Sequence, residues 1–453
     1  MRKFITICTI LLGATANLTA KTATTVLPNS RQIEWSDQEI GVIIHLDINI
    51  FAPETFDYAK KETLPPLSAF NPSKLNTDQW IESAQKAGAK YAVLTAKHGT
   101  GFCLWKTKVH PYHVGNSPVQ GGGSDIVTDF IKSCKKYGLK PGLYYNTNMN
   151  TYYQAGYVKM SDEDRLKFNE AVYLQLKELW SEYGELFEIW FDGGVMSDRK
   201  VGIKDRVMQL LKDYQPNAFL FNGPIGDNNI LRWVKNEDGR TPYPFWNRIN
   251  PITNGAGEAA IDDGSGDPSG RYWVGAEADF PNRNKSAWNG GWLWRAGEED
   301  KLFSANDLLN RYYSSVGRNT NVLIGMAIDT SGLFPLRDAK IFEDFGNKLQ
   351  NREKSKIASS KGSGNNLELK FKHEQPINQI EIEEDLHYGE RIRKYTVEAL
   401  TDGQWKIIAE GSSIGHKRIQ LIDQVTVSTV RLKIIKSDKK PSIKSFSAYY
   451  YTN

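Results

Sequence analysis

The sequence predicts a (β/α)8-like TIM barrel followed by an all-β sandwich. Three observations carry that expectation. Short apolar runs alternate with amphipathic stretches over residues 35–350, as right-handed βαβ units around a parallel sheet require. Those runs repeatedly end on polar, often titratable residues, and a barrel builds its pocket at the C-terminal ends of its strands. Past residue 366 the pattern becomes period-two alternation at short spacing, the mark of a small antiparallel sandwich.

The elements follow in chain order. Residues 1–20 read as a signal peptide: Arg2 and Lys3 precede a short apolar run, and small residues lead to Ala16 and Ala20. That run is too short to cross a bilayer, and no later stretch reads as a membrane span, so an exported protein, periplasmic or secreted, is expected. Strands are expected at 41–45, 91–95, 140–145, 187–192, 218–222, 272–274 and 321–324, with 291–294 a further candidate. Helical spacing marks 78–89, 124–137, a long stretch from Ser161, and 305–316. About eight such units suit a closed barrel better than an open sheet. The Gly-, Pro- and acid-rich stretch 223–270 is expected to form part of a pocket rim. Residues 21–350 thus make the expected catalytic domain. Residues 351–366, charged and rich in Ser and Gly, read as a linker, and 367–453 as the sandwich.

Composition excludes several classes of partner. The 57 basic residues against 53 acidic ones give no electrostatic basis for nucleic acid or an anionic membrane. Of three cysteines, Cys8 lies in the signal, and Cys103 with Cys134 do not make a disulfide scaffold. No CxxC or HExxH pattern occurs, and His45 with His98 lack a third ligand at suitable spacing, so neither metal nor organic cofactor is expected.

The chemistry centres on residues 187–194, an aromatic run that stops at Asp192 before Gly193 and Gly194. Alone, this reads as a strand-ending Asp-Gly turn. In a barrel, however, His45, His98, Tyr145 with Asn146, Asp192, Asn222 and Glu277 all fall at strand ends and share one face. Asp192 and Glu277 are the best carboxylate pair for cleaving a glycosidic bond. One attacks or stabilises the oxocarbenium-like carbon, and the other, protonated, helps the leaving oxygen depart. Trp273, Trp288, Trp292 and Trp294 flank Glu277 in sequence, and apolar walls raise a carboxyl pKa as an acid catalyst needs. Asp279 is the alternative acid. His45 and His98 are placed to bond sugar hydroxyls.

At these residues the chain resembles glycoside hydrolase family 29, the α-L-fucosidases. The resemblance rests on residues 41–45 with Asn49, Phe51 and Glu54; on 91–105; on 138–144; on Trp190-Phe191-Asp192-Gly193; on Arg232-Trp233-Val234 with Asn236-Glu237-Asp238-Gly239; and on 316–319 before Leu323 and Ile324. It implies an exo-acting retaining fucosidase whose substrate partner is a fucosylated oligosaccharide or glycoconjugate. Asp192 would be nucleophile and Glu277 acid/base, with His45, Glu54, His98, Tyr145, Trp190, Arg232 and Trp292 binding substrate. The Arg232 block looks more like the branch that cleaves α-1,3 and α-1,4 linkages. The family also often carries a C-terminal carbohydrate-binding-like sandwich. Three stretches depart from its pattern. His98-Gly99-Thr100 stands for His-His-Asp. Leu46-Asp47 stands for an aromatic residue and a glycine. Residues 146–150 lack the usual Ser/Trp pattern. A glycan-binding protein without turnover and an exo-glycosidase for a related sugar stay open as readings.

Overall fold

Eight parallel strands close on themselves in the computed structural model, which describes residues 26–119, 123, 125–194, 202–223, 229–253, 259–260 and 264–452. They are β1 (Ile40–His45), β2 (Tyr91–Lys97), β3 (Lys140–Asn146), β4 (Glu188–Asp192), β5 (Phe219–Phe221), β6 (Ile230–Trp233), β7 (Gly275–Phe280) and β8 (Asn321–Ala327). Each pairs with its sequence neighbour, and β8 closes on β1 through Val42 opposite Ile324. The expected signal peptide lies outside the described residues.

Two expected strands are replaced. Residues 291–294 are not a strand, and a 3-10 turn (Trp288–Gly291) runs into them. Tyr272–Trp273 pairs antiparallel with Arg248–Ile249 beside the barrel. Their places are taken by β6 and β7. Strand β6 is four residues long and interrupted by an arginine. In β7, Glu277 and Asp279 face inward and hydrogen-bond to indole and phenol groups, so the strand does not look apolar.

Strand alternation creates two cores. Ile43, Tyr91, Val93, Tyr144, Trp190, Phe219, Phe221, Leu231 and Leu323 fill the barrel. Ile44, Leu94, Leu143, Ile189, Phe191 and Ile324 point outward. They pack under helices that include α2 (Thr77–Lys86), α3 (Ile126–Tyr137), α4 (Asp162–Glu182), α5 (Lys204–Tyr214) and α6 (Ala305–Ser314). The N-terminal end of the barrel is plugged by α1 (Ser30–Ser36). Its Trp35 joins the inner core, and a Cβ on Gly275 would lie 2.6 Å from the indole.

Residues 351–366 are not a linker. Helix α7 (Leu336–Lys354) leads directly to β9 (Lys356–Ser363), and β10 (Asn366–Glu384) follows. The Ser- and Gly-rich composition belongs to an edge strand, where few side chains need to be apolar. With β11 (Ile392–Thr401), β12 (Gln404–Gly411), β13 (Arg418–Ser437) and β14 (Ser442–Tyr449) it forms one antiparallel sheet, ordered β9-β14-β10-β13-β11-β12. The pairing of β10 with β13 shifts register around Lys370 and Ile377. The sheet has its own core, including Ile380, Tyr395, Val397, Leu432 and Phe446.

This sheet is bonded to the barrel. Glu390 accepts from Asn247 N and from Asn319 Nδ2 at 2.6 Å, Arg352 pairs with Glu381 at 2.9 Å, and Lys417 pairs with Glu39 at 2.6 Å. Glu39 precedes β1, Asn319 precedes β8, and Arg352 lies in the last turn of α7. These contacts therefore lie at the end of the barrel opposite the strand C-termini. Tyr449 is buried beneath the Arg352 guanidinium and presents no ring to solvent. Cys103 and Cys134 are both free thiols.

Candidate active site

The inward-facing residues of β4 are Glu188, Trp190 and Asp192, one at every second position. Asp192 is the last of them, and its carboxylate Oδ2 accepts from Tyr144 Oη at 2.5 Å and Asn146 Nδ2 at 2.7 Å. Both donors are inward-facing residues of the neighbouring β3. The backbone is pinned as well: Thr147 N and Oγ1 donate to Asp192 O at 2.9 and 3.0 Å. Gly193 then turns away at φ 86°. A Cβ there would lie 2.6 Å from Asn148 Cβ, so the turn requires glycine.

Asp192 lines a cavity of about 220 Å³ at the C-terminal end of the barrel. Ile43 and His45 come from β1, His98 from just past β2, Tyr144 from β3 and Trp190 from β4. Asn222 follows β5, Trp233 ends β6, Asp279 comes from β7, and Glu237, Asn289 and Trp292 from loops after β6 and β7. The walls are aromatic. Trp190 stacks on Phe221 at 3.9 Å, His98 stacks on Tyr144 at 5.8 Å, and His45 lies 5.0 Å from Trp292. Burial, with His98 beside it, pushes the His45 imidazole down to about 3, so it meets substrate neutral.

Among the described residues, two carboxylates besides Asp192 reach the cavity. Asp279 is buried and accepts from Trp233 Nε1 at 2.6 Å. Burial pushes its pKa up to about 7, and the charges of Glu237 and Glu277 add to the rise. Glu237 sits in the loop after β6 at φ 45°, with 42% of its side chain exposed and Lys285 4.0 Å away. One carboxylate is thus fixed in the wall, and the other stands at the mouth. Among the described residues, no group of three or more His, Cys, Asp or Glu side chains is arranged to hold a metal.

The family profile described as "Alpha-L-fucosidase" matches residues 23–354. The chain belongs to the α-L-fucosidase family. Over 463 aligned residues it is 29% identical to "Alpha-L-fucosidase 1" of Arabidopsis thaliana, spanning 93% of this chain and 87% of that one. A crystal structure of a putative α-L-fucosidase from Bacteroides thetaiotaomicron superposes with TM-score 0.86 at 34% identity, covering 95% of this chain and all of that one. A glycoside hydrolase 29 family member from a rumen bacterium superposes at 0.82 with 26% identity, over 95% of this chain and 78% of that one.

Of the expected site residues of this fucosidase-family chain, Asp192, His45, His98, Trp190 and Trp292 line the cavity. Four others do not. Glu277 faces inward but lies two residues deeper along β7 than Asp279. There it accepts from Tyr91 Oη at 2.5 Å and Trp190 Nε1 at 3.2 Å, fully buried beside Glu188. Burial pushes it up to about 7, so the apolar environment expected for it is present, but beneath the cavity floor. Tyr145 points outward and donates to Gln175 of α4. Arg232 also points outward, with its guanidinium on the carbonyls of Gly264 and Trp246 and over the Phe245 ring. Glu54 is a rim residue, 73% exposed and paired with Arg295. Tyr144, Trp233, Glu237 and Asn289 were not singled out as site residues, whereas Asp279, expected as the alternative acid, does line the cavity. Period-two counting back from Asn146 identifies Tyr144, and Glu237 stood inside a recognised motif.

Proposed function

We propose that this family member is an exo-acting, retaining α-L-fucosidase with Asp192 as nucleophile and Glu237 as acid/base. The observation that carries the reading is the dead-end cavity with a doubly hydrogen-bonded carboxylate on its wall and a second, solvent-accessible carboxylate at its mouth. A volume equal to about seven waters suits one terminal sugar, and the aromatic walls suit the apolar methyl face of a deoxy sugar.

In the first step Asp192 attacks the anomeric carbon while Glu237 gives its proton to the departing glycosidic oxygen. In the second, Glu237 takes a proton from water, which then displaces Asp192 from the covalent glycosyl-enzyme. Tyr144 and Asn146 stabilise the carboxylate each time it leaves. Glu237 suits the acid/base role better than Asp279 because aglycone and water reach it, while Trp233 locks Asp279 into the wall. The charges of Glu237 and Glu277 disfavour ionisation of Asp279. A preference for α-1,3 and α-1,4 linkages follows from the motif around Glu237, and export from residues 1–20. A screen of fucosylated oligosaccharides differing only in linkage tests the first, and N-terminal sequencing of exported protein tests the second.

The central test uses aryl α-L-fucosides with good and poor leaving groups. Asp192→Asn is expected to lose turnover on both. Glu237→Gln is expected to lose far more on poor leaving groups, with azide restoring part of the rate. If Asp279→Asn shows that signature and Glu237→Gln does not, the acid/base is Asp279. Asp192→Asn turning over like wild type would overturn the reading and favour a glycan binder.

A further inference from the structure

We propose that Asp47 is a positioning residue for His98, fixing the imidazole tautomer that meets the sugar. The proposal rests on the reading of the cavity as a fucoside site.

Asp47 lies two residues past His45 and begins a 3-10 turn (Ile48–Phe51). Its Oδ1 already serves the fold, accepting from Ile48 N at 2.7 Å and from Thr100 Oγ1 at 2.6 Å. Oδ2 is left over. It is buried, has no hydrogen-bond partner among the described residues, and lies 3.7 Å from His98 Nδ1, which is likewise buried and without a partner. A carboxylate oxygen held dry beside an unsatisfied imidazole nitrogen is costly unless the two engage. Turn capping alone needs only one oxygen, so the position of the other points to His98.

The chemistry of the pair fixes its polarity. An ionised carboxylate only accepts, so Nδ1 must carry the proton. Nε2 is then the acceptor, available to a sugar hydroxyl in the cavity that His98 lines. His45 crosses His98 edge-on at 5.7 Å and Tyr144 stacks on it at 5.8 Å, so the ring is confined in plane as well as in tautomer.

The neighbouring residues hold the pair in place. The carboxylate stands just past the end of β1, and the Thr100 hydroxyl opposite donates to it. Gly99, between His98 and Thr100, lies in a tight space: a Cβ there would lie 2.9 Å from both the Tyr58 ring and Tyr157 Oη, whose rings stack on each other.

The test is Asp47→Asn in the full-length protein. Asparagine keeps an oxygen for Ile48 and Thr100 but turns a donor toward His98, reversing the tautomer. Turnover of an aryl α-L-fucoside, as kcat/KM, is expected to fall about 10- to 100-fold with the melting temperature little changed. In a His98→Phe background the same substitution is expected to cost little more, because its route is gone. Thr100→Val, which leaves Oδ2 in place, is expected to stay close to wild type. Equal losses in both backgrounds would make Asp47 merely structural and overturn the proposal, as would no loss in either. Two-bond ¹H–¹⁵N correlations of the His98 ring supply a readout independent of turnover: Nδ1–H in wild type, Nε2–H in Asp47→Asn. If the protein lacks fucosidase activity but the tautomer still switches, the functional reading fails and the positioning role stands. An unchanged tautomer overturns the role itself.

Discussion

Tyr144 and Tyr145 differ by one position and have opposite functions. The first donates to Asp192 inside the barrel and the second to Gln175 outside it. A hydrogen bond to a charged group contributes about 1.5–3 kcal/mol. Tyr144→Phe is therefore expected to lower kcat at least about tenfold with little loss of stability. Tyr145→Phe is expected to lower the melting temperature and leave kcat alone. Steady-state kinetics and thermal denaturation of the pair check this. Glu277 provides a second contrast. Burial raises its carboxyl from the ordinary 4.5 to about 7, so the folded protein keeps a proton that the unfolded chain releases. The stability this confers is complete below about pH 4.5 and is lost as pH rises through 7. Glu277→Gln removes that titration, so its melting temperature is expected to fall less steeply than wild type across that window. Its leaving-group profile is expected to stay wild type. At this scale the sequence disclosed which residue types gather at the strand ends. It did not disclose which face each takes, because that depends on strand boundaries known only to within a residue or two. Counting from Asn146 rather than Tyr145 would have changed the assignment.

Strands β6 and β7 show why an element can be present yet illegible. Each satisfies its polar inward or outward side chains with partners distant in sequence: Arg232 with loop carbonyls, Glu277 with Tyr91 and Trp190, Asp279 with Trp233. Period alone cannot register that compensation. By contrast, β1, β2, β4 and β8 each hold an unbroken run of at least three apolar residues and were readable directly. The turn after β4 was readable too, and it carries a prediction. At Gly193 a side chain meets both a positive φ and Asn148. Gly193→Ala is expected to cost at least about 1 kcal/mol and to displace Asp192, lowering kcat/KM more than thermal denaturation alone would imply. A fully active, equally stable variant would show that the turn relaxes without moving Asp192.

The whole molecule is a barrel closed at one end by α1 and braced near that end by the C-terminal sheet. Its contacts with the barrel are buried ion pairs and hydrogen bonds. Removing a buried partner leaves donors unsatisfied at about 1–3 kcal/mol each. Glu390→Ala orphans Asn247 N and leaves Asn319 Nδ2 only its 3.5 Å bond to Phe245 O; it is expected to lower the melting temperature, with barrel and sheet still unfolding in one calorimetric transition. An unchanged melting temperature would mean that the sheet is an independent appendage. The alternation that revealed an all-β region was legible because half its residues are buried. The interface was not, since Glu390, Asn319 and Lys417 carry no signature of the partners they meet across the fold.

The proposed double displacement requires a covalent bond between Asp192 and the sugar within the cavity. Incubation with a slow-turnover fluorinated fucosyl fluoride, followed by peptide mapping by mass spectrometry, traps that bond. The predicted result is a fluorofucosyl ester on Asp192, absent from Asp192→Asn. A label on Glu237, Asp279 or Glu277, or hydrolysis that inverts the anomeric centre without any label, would contradict it.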